Sequence, residues 1–136
     1  MDIQLRYDLR APELGPSLDV LQSAAIEQVV RGEMAGATAV LLSEHHLSSD
    51  GYCPAPWLVA AAMASRTNTI AIELCALLLP LHDEVAMAEQ LAVLDNLTGG
   101  RLRVTVGVGY RRAEYEMMGR LFDDRVGRSI TVMEVM

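Results

Sequence analysis

The chain holds three histidines, and each follows an apolar run: His45 and His46 come after residues 38–43, and His82 after the stretch that begins at Thr69. Imidazole titrates near neutrality, so a histidine just past a buried strand can move a proton during a reaction. Glu44, beside His45, can orient a ring or raise its pKa. The same residues also have a plainer reading, as polar side chains where the chain leaves its core. His82-Asp83-Glu84 favours that plainer reading, because Asp83 and Glu84 suit a helix N-terminus. No metal centre is expected from His45, His46 and His82: their spacing matches no zinc motif, and adjacent histidines point apart.

Gly107-Val108-Gly109 looks at first like a phosphate-binding turn. A dinucleotide fingerprint would need a third glycine at position 112, which is Arg112. Gly107 and Gly109 instead share a strand face with Arg103 and Thr105. Their missing side chains either clear room above that face for a flat ligand or mark an ordinary glycine-assisted strand end. Two cysteines, Cys53 and Cys75, make no disulfide framework. Cys75 lies inside an apolar run and is expected to be an inert core thiol.

These residues need elements to position them. Residues 3–9 alternate apolar and polar as a strand does. Ser17 can cap a helix with Leu18, Leu21, Ala25 and Val29 on one face, ended by Gly36. Residues 38–43 form a buried strand, followed by a loop of turn formers and an alanine-rich helix over 57–65. Residues 69–79 form an apolar strand interrupted by Glu73. Asp83 caps the next helix, along which Val85, Ala88, Leu91 and Ala92 share a face, and Gly99-Gly100 ends it. A fourth strand begins at Leu102, and residues 111–136 are helical with a break over 119–123. Four strand–helix units of about 31–34 residues predict a parallel sheet covered on both faces, in a TIM barrel or an open doubly wound sheet. Functional residues of either fold gather past the strand C-termini, and all three histidines lie on that rim.

Composition narrows the function. The chain has 136 residues, the size of one domain, with 51% apolar and 21% charged residues. Its net charge is −7, and all 11 basic residues are arginines, none of them clustered. A nucleic-acid partner is therefore not expected. No segment approaches the ~18 apolar residues of a membrane span, so no membrane partner is expected either. The first residues have no apolar run of a signal peptide, which leads us to expect a cytoplasmic protein.

The ordered motifs resemble those of the luciferase-like flavin-dependent monooxygenases, a family of TIM barrels. The matching residues are Glu44-His45-His46-Leu47, Pro56-Trp57-Leu58 and Leu79-Pro80-Leu81-His82. The series goes on with 88–101, Gly107-Val108-Gly109-Tyr110, Glu114-Tyr115 and Gly119. The resemblance covers nearly the whole chain and implies the N-terminal part, about four βα units, of a (β/α)8 barrel, with residues 1–136 as one truncated domain. It implies an oxidoreductase that uses reduced FMN, supplied by a flavin reductase, or the deazaflavin F420, and O2 to oxidise a small organic substrate. By resemblance, His45 is the catalytic acid/base and Glu44 its neighbour at the flavin site. Cys75-Ala76 falls where relatives carry a non-proline cis peptide beneath the flavin ring. Gly107, Gly109 and Tyr110 flank the ring, and Arg125 resembles an arginine that helps hold the flavin phosphate. Luciferases themselves carry Cys where Gly107 stands and Arg where Val108 stands, so light emission is not expected.

Half a barrel has two unpaired strand edges, which predicts self-association or pairing with a complementary half-barrel. The alternatives are a half-barrel without catalysis of its own, acting as an assembly or regulatory partner, and an open flavodoxin-like sheet that binds a ligand without turnover.

Overall fold

Hydrophobic runs that continue through whole strands need cover, and in the computed structural model, which describes residues 2–135, helices provide it. Met1 and Met136, the last of them part of the helical stretch expected over 111–136, lie outside the described residues. Strands β1 (Gln4–Tyr7), β2 (Ala39–Leu42), β3 (Ala71–Leu77) and β4 (Leu102–Val106) form one parallel sheet. Their order in space is their order in sequence, β1-β2-β3-β4. A doubly wound sheet reverses its strand order at a switch point, and none occurs among the described strands. The fold is therefore the partial barrel, not the flavodoxin-like sheet.

Between the strands run α1 (Leu18–Met34), α2 (Pro56–Ala64) and α3 (Glu84–Thr98), with α4 (Arg112–Met117) and α5 (Arg125–Val135) after β4. Val40, Leu42, Ile72 and Leu74 of the sheet pack with Ala25, Val29, Ala60, Met63, Met87, Leu91 and Val132 of the helices in one buried cluster. The opposite sheet face differs from the two-sided cover expected. There Arg6, Leu41, Glu73 and Arg103 stand side by side across the four strands, and Arg6 and Arg103 are exposed. In a closed barrel this face is the interior, met by side chains from the other strands.

Two local expectations are corrected. Ser17 precedes α1 with extended backbone, yet its side chain makes no cap bond; Asp83 does, accepting from the N–H of Ala86 at 3.0 Å. The buried stripe of α3 is Met87, Leu91, Leu94 and Thr98. Val85 and Ala92 face outward instead, because the sheet lies under the 87–91–94–98 spacing.

The end of the fold opposite the histidines is tied by two charged residues. Glu33 accepts from the N–H groups of Asn68, Thr69 and Ile70 at 2.9, 2.6 and 2.8 Å, so the end of α1 holds the turn before β3. Burial pushes this carboxyl up, but those bonds outweigh it and hold the pKa at about 2. Arg101 donates to the carbonyl oxygens of Thr98 (2.6 Å), Ile70 (2.9 Å) and Thr67 (3.1 Å) and to the Thr67 hydroxyl (3.0 Å). Its planar fork thus satisfies acceptors from α3, the α2–β3 turn and the start of β3 together, which a lysine's single ammonium cannot do. Arg101→Lys is expected to lower stability by about 2 kcal/mol and Arg101→Ala by about 3 kcal/mol, measured by urea unfolding. Two unfolding curves that coincide with the wild type would contradict this role.

Candidate active site

β2 ends at Leu42, and the next residues turn outward over the C-terminal rim of the sheet. Ser43 and Glu44 are buried there. Leu47 closes the turn with a left-handed φ of 56°, a conformation uncommon for a residue with a side chain. The Glu44 carboxylate gathers three donors. Nε2 of His46 lies 2.7 Å and Nε2 of His82 2.6 Å from Oε1, and the N–H of Leu78 donates to Oε2 at 2.6 Å. Burial is the strongest influence on this carboxyl and favours protonation; the bonds from His46 and His82, the charge of His82 and the Leu78 amide outweigh it, and the pKa falls to about 2.

His82 is therefore bonded to Glu44 on the rim, whereas the sequence favours a loop and helix start over a site there. Asp83 and Glu84 do begin α3, as expected. The imidazole also meets Trp57 edge-on, with ring centroids 5.2 Å apart. Glu44, His46 and His82 offer donor atoms within 4.8 Å of one another, a different set from the three histidines weighed for a metal. Both nitrogens sit at charge-assisted hydrogen-bond distance from one oxygen, so the carboxylate is already shared between two N–H groups.

His45 faces the other way. Its Nδ1 lies 3.4 Å from Oε1 of Glu114, its ring packs on Tyr52 at 4.4 Å between centroids, and Tyr110 lies at 6.0 Å. Glu114 is fully buried. The same Oε1 accepts from the backbone N–H of His46 at 3.0 Å and from Nη1 of Arg111 at 3.1 Å. Arg111 also donates to the His46 carbonyl at 3.0 Å, and Arg128 of α5 donates to the carbonyls of Pro80 (3.1 Å) and His82 (3.0 Å). Both histidine-bearing loops are thus held from behind by the segments after β4.

In front of the rim lies a cleft of about 320 Å³. Glu44, His45, Cys75, Ala76, Gly107, Gly109 and Tyr110 all line it, joined by Arg6, Ser43 and Tyr52. The Cys75–Ala76 peptide is cis, at the position the resemblance implies. Cys75 is half-buried and faces the cleft, so it is no core thiol; the buried cysteine is Cys53, whose thiol burial pushes up to about 11. A Cβ on Gly107 would come within 2.9 Å of the Ala76 Cβ and 3.2 Å of a Leu78 methyl, so this glycine makes room for those two side chains. Gly109 has a left-handed φ of 68°, with Tyr115 beneath it. Arg125 is the expected site residue that does not line the cleft. Its guanidinium donates to the Phe122 carbonyl at 2.8 Å and lies 4.0 Å from the centre of the Phe122 ring. A second groove, about 450 Å³ and lined by Trp57, Leu58, Val93 and Leu97, lies between α2 and α3, on the helix layer rather than the rim.

A sequential parallel sheet with acid–base side chains past its strand ends defines a barrel-type α/β protein. Residues 11–136 match the family model for luciferase-like monooxygenases, and the chain belongs to that family. It is similar to limonene 1,2-monooxygenase of Rhodococcus erythropolis, with 31% identity over 94 residues that cover 69% of this chain and 24% of that protein. In structure it is similar to the oxygenating constituent of 3,6-diketocamphane monooxygenase from Pseudomonas putida, solved in complex with FMN. That match has a TM-score of 0.86 and 25% identity, and covers 98% of this chain and 38% of the other. Monooxygenase RslO1 of Streptomyces bottropensis matches at a TM-score of 0.92 and 24% identity, over 99% of this chain and 41% of the other. The chain thus spans about a quarter of the length of the curated limonene enzyme and about two fifths of these solved chains.

The depressed Glu44 pKa has a consequence for stability. Its contribution is complete above the unfolded value of 4.5 and is lost as pH falls toward the folded value of about 2. A shift of that size corresponds to roughly 3 kcal/mol. Glu44→Gln is expected to remove that share of the acid sensitivity between pH 4.5 and 2, read from urea midpoints across the range. A variant with the full wild-type acid slope would show that Glu44 does not carry it.

Proposed function

We propose that the chain forms the acid–base and ring-binding wall of a flavin-dependent monooxygenase that uses reduced FMN and O2 to oxidise a small organic substrate. One observation carries the reading: residues from the ends of β2, β3 and β4 converge on a single cleft whose lining includes the small residues Ala76 and Gly107. A volume of about 320 Å³ is at the lower end of the ~300–1,000 Å³ of small-molecule sites. It suits a flat ring and leaves a phosphate tail outside. The FMN held by the diketocamphane enzyme supports this choice of cofactor.

In this reading Ala76, Cys75 and Gly107 lie beneath the ring, and Gly109 and Tyr110 flank it. His45 is the acid/base, and Glu44 fixes the rim around it. Bound reduced flavin supplies the electrons with which O2 is activated; a separate flavin reductase would deliver it. Arg125, whose guanidinium donates to the Phe122 carbonyl, would be the residue that holds the phosphate. F420 presents a similarly flat ring, and binding measurements decide between the two. The position of Arg125 outside the cleft and the open edges of β1 and β4 among the described residues favour a second arrangement as well: pairing with a complementary half-barrel, or with another copy, that completes the pocket.

The two cysteines report on the cleft. Cys75 is expected to react with an alkylating reagent while buried Cys53 does not. Millimolar FMN, reduced FMN or F420 should slow Cys75 alkylation severalfold, without micromolar affinity for a monomer that covers one side of the ring. Equal alkylation rates with and without all three flavins would contradict the assignment. Sedimentation should show self-association, and a monodisperse monomer would contradict the edge pairing. In a protein that supplies both barrel halves, His45→Ala should slow turnover by roughly 10²–10⁴-fold and leave flavin affinity nearly unchanged. Loss of both would make His45 structural.

A further inference from the structure

We propose that Glu114 is the positioning residue of His45: it holds the ring's Nδ1–H toward α4 and thereby presents Nε2 to the cleft as the proton-transfer atom. The inference rests on the reading of His45 as the acid/base.

The three histidines divide by which nitrogen is engaged. His46 and His82 both direct Nε2 at the Glu44 carboxylate, at 2.7 and 2.6 Å. An ionised carboxylate only accepts, so each carries its proton on Nε2, and neither has that atom free. His45 is turned the opposite way. Its Nδ1 faces Glu114 at 3.4 Å, and its Nε2 has no hydrogen-bond partner among the described residues. With the proton drawn to Nδ1, Nε2 keeps a lone pair on a ring that lines the cleft.

Glu114 is an expensive residue if it only anchors a loop. It is 1% exposed, and its Oε2 has no partner. A neutral glutamine could accept the same bonds from the His46 amide and Arg111 without burying a charge. The charge adds something that the anchor does not need: it favours a proton on the near nitrogen and steadies the imidazolium formed when Nε2 takes a second one. A proton arrives at Nε2, the Nδ1 proton stays on the ring, and Glu114 remains a carboxylate throughout. The other groups facing His45 are Arg111, which pairs with Glu114; Tyr52 and Tyr110 against the ring; and, lining the same cleft, Glu44 and Arg6.

The full chain has only three histidines, so ¹⁵N-labelled protein gives three imidazole spin systems in long-range ¹H–¹⁵N correlation spectra. At alkaline pH, His45 should appear as the Nδ1–H tautomer, and His46 and His82 as Nε2–H. Glu114→Ala should return His45 to the Nε2–H form that free imidazole prefers, with the other two unchanged as a check on the rim. Should that variant fail to fold, Glu114→Gln keeps the shape; there too the His45 ring should move toward the Nε2–H form, because the charge that draws the proton to Nδ1 is gone. His45 found as Nε2–H in the wild type, or unmoved in tautomer by either folded variant, overturns the proposal. These signals require no flavin. Failure of Cys75 protection would overturn the flavin reading and leave the tautomer result standing.

Discussion

A single buried carboxylate organises the rim of this protein. Glu44 stands just past β2 and reaches His46 on its own loop, Leu78 after β3, and His82 on the approach to α3. Buried carboxylates are unfavourable unless their oxygens are satisfied, and three N–H donors satisfy this one. The consequence is geometric. Once His46 is turned inward to Glu44, its neighbour His45 must face the opposite side, and that side is the cleft. The bond to Leu78 also fixes the chain just beyond Cys75–Ala76, which is the floor of that cleft.

The surrounding frame is tied by arginines, the only strong cations the chain has. Arg101, Arg111 and Arg128 each reach backbone carbonyls on other segments. A guanidinium can serve several acceptors in fixed directions, so one side chain holds two or three chain segments in register. Arg101 does this below the sheet, and Arg111 and Arg128 do it behind the histidine loops. α4 and α5 thus bear on the site although neither follows the strands that carry its histidines.

Much of the fold was legible because apolar runs and turn residues are local signals. All four strands, the Asp83 cap and the break near Gly119 follow from neighbours within a few positions. The rim position of the histidines was legible for the same reason. Other features depend on distant partners. Glu114 meets His46 across 68 positions; Glu114-Tyr115 belongs to the matching motifs, but its local sequence gives it no role and no partner. His82 looked like a loop residue because Asp83 and Glu84 explain the segment without it. Cys75 carried a usable signal: it stands two residues from Glu73, so the period of a strand places both on the polar face. Ser17 shows the converse, a good capping residue whose side chain makes no cap bond.

The charged row on the uncovered sheet face and the open edges of β1 and β4 suit a wall that another set of strands completes. In the proposed function the flavin ring lies on that wall, over Ala76 and Gly107. Amide chemical-shift mapping of the ¹⁵N-labelled chain during FMN addition tests it most directly. The account predicts shifts concentrated at Ala76, Gly107, Gly109, Tyr110 and His45. Shifts confined to the α2–α3 groove around Trp57 and Leu97, or none at millimolar FMN, would contradict it.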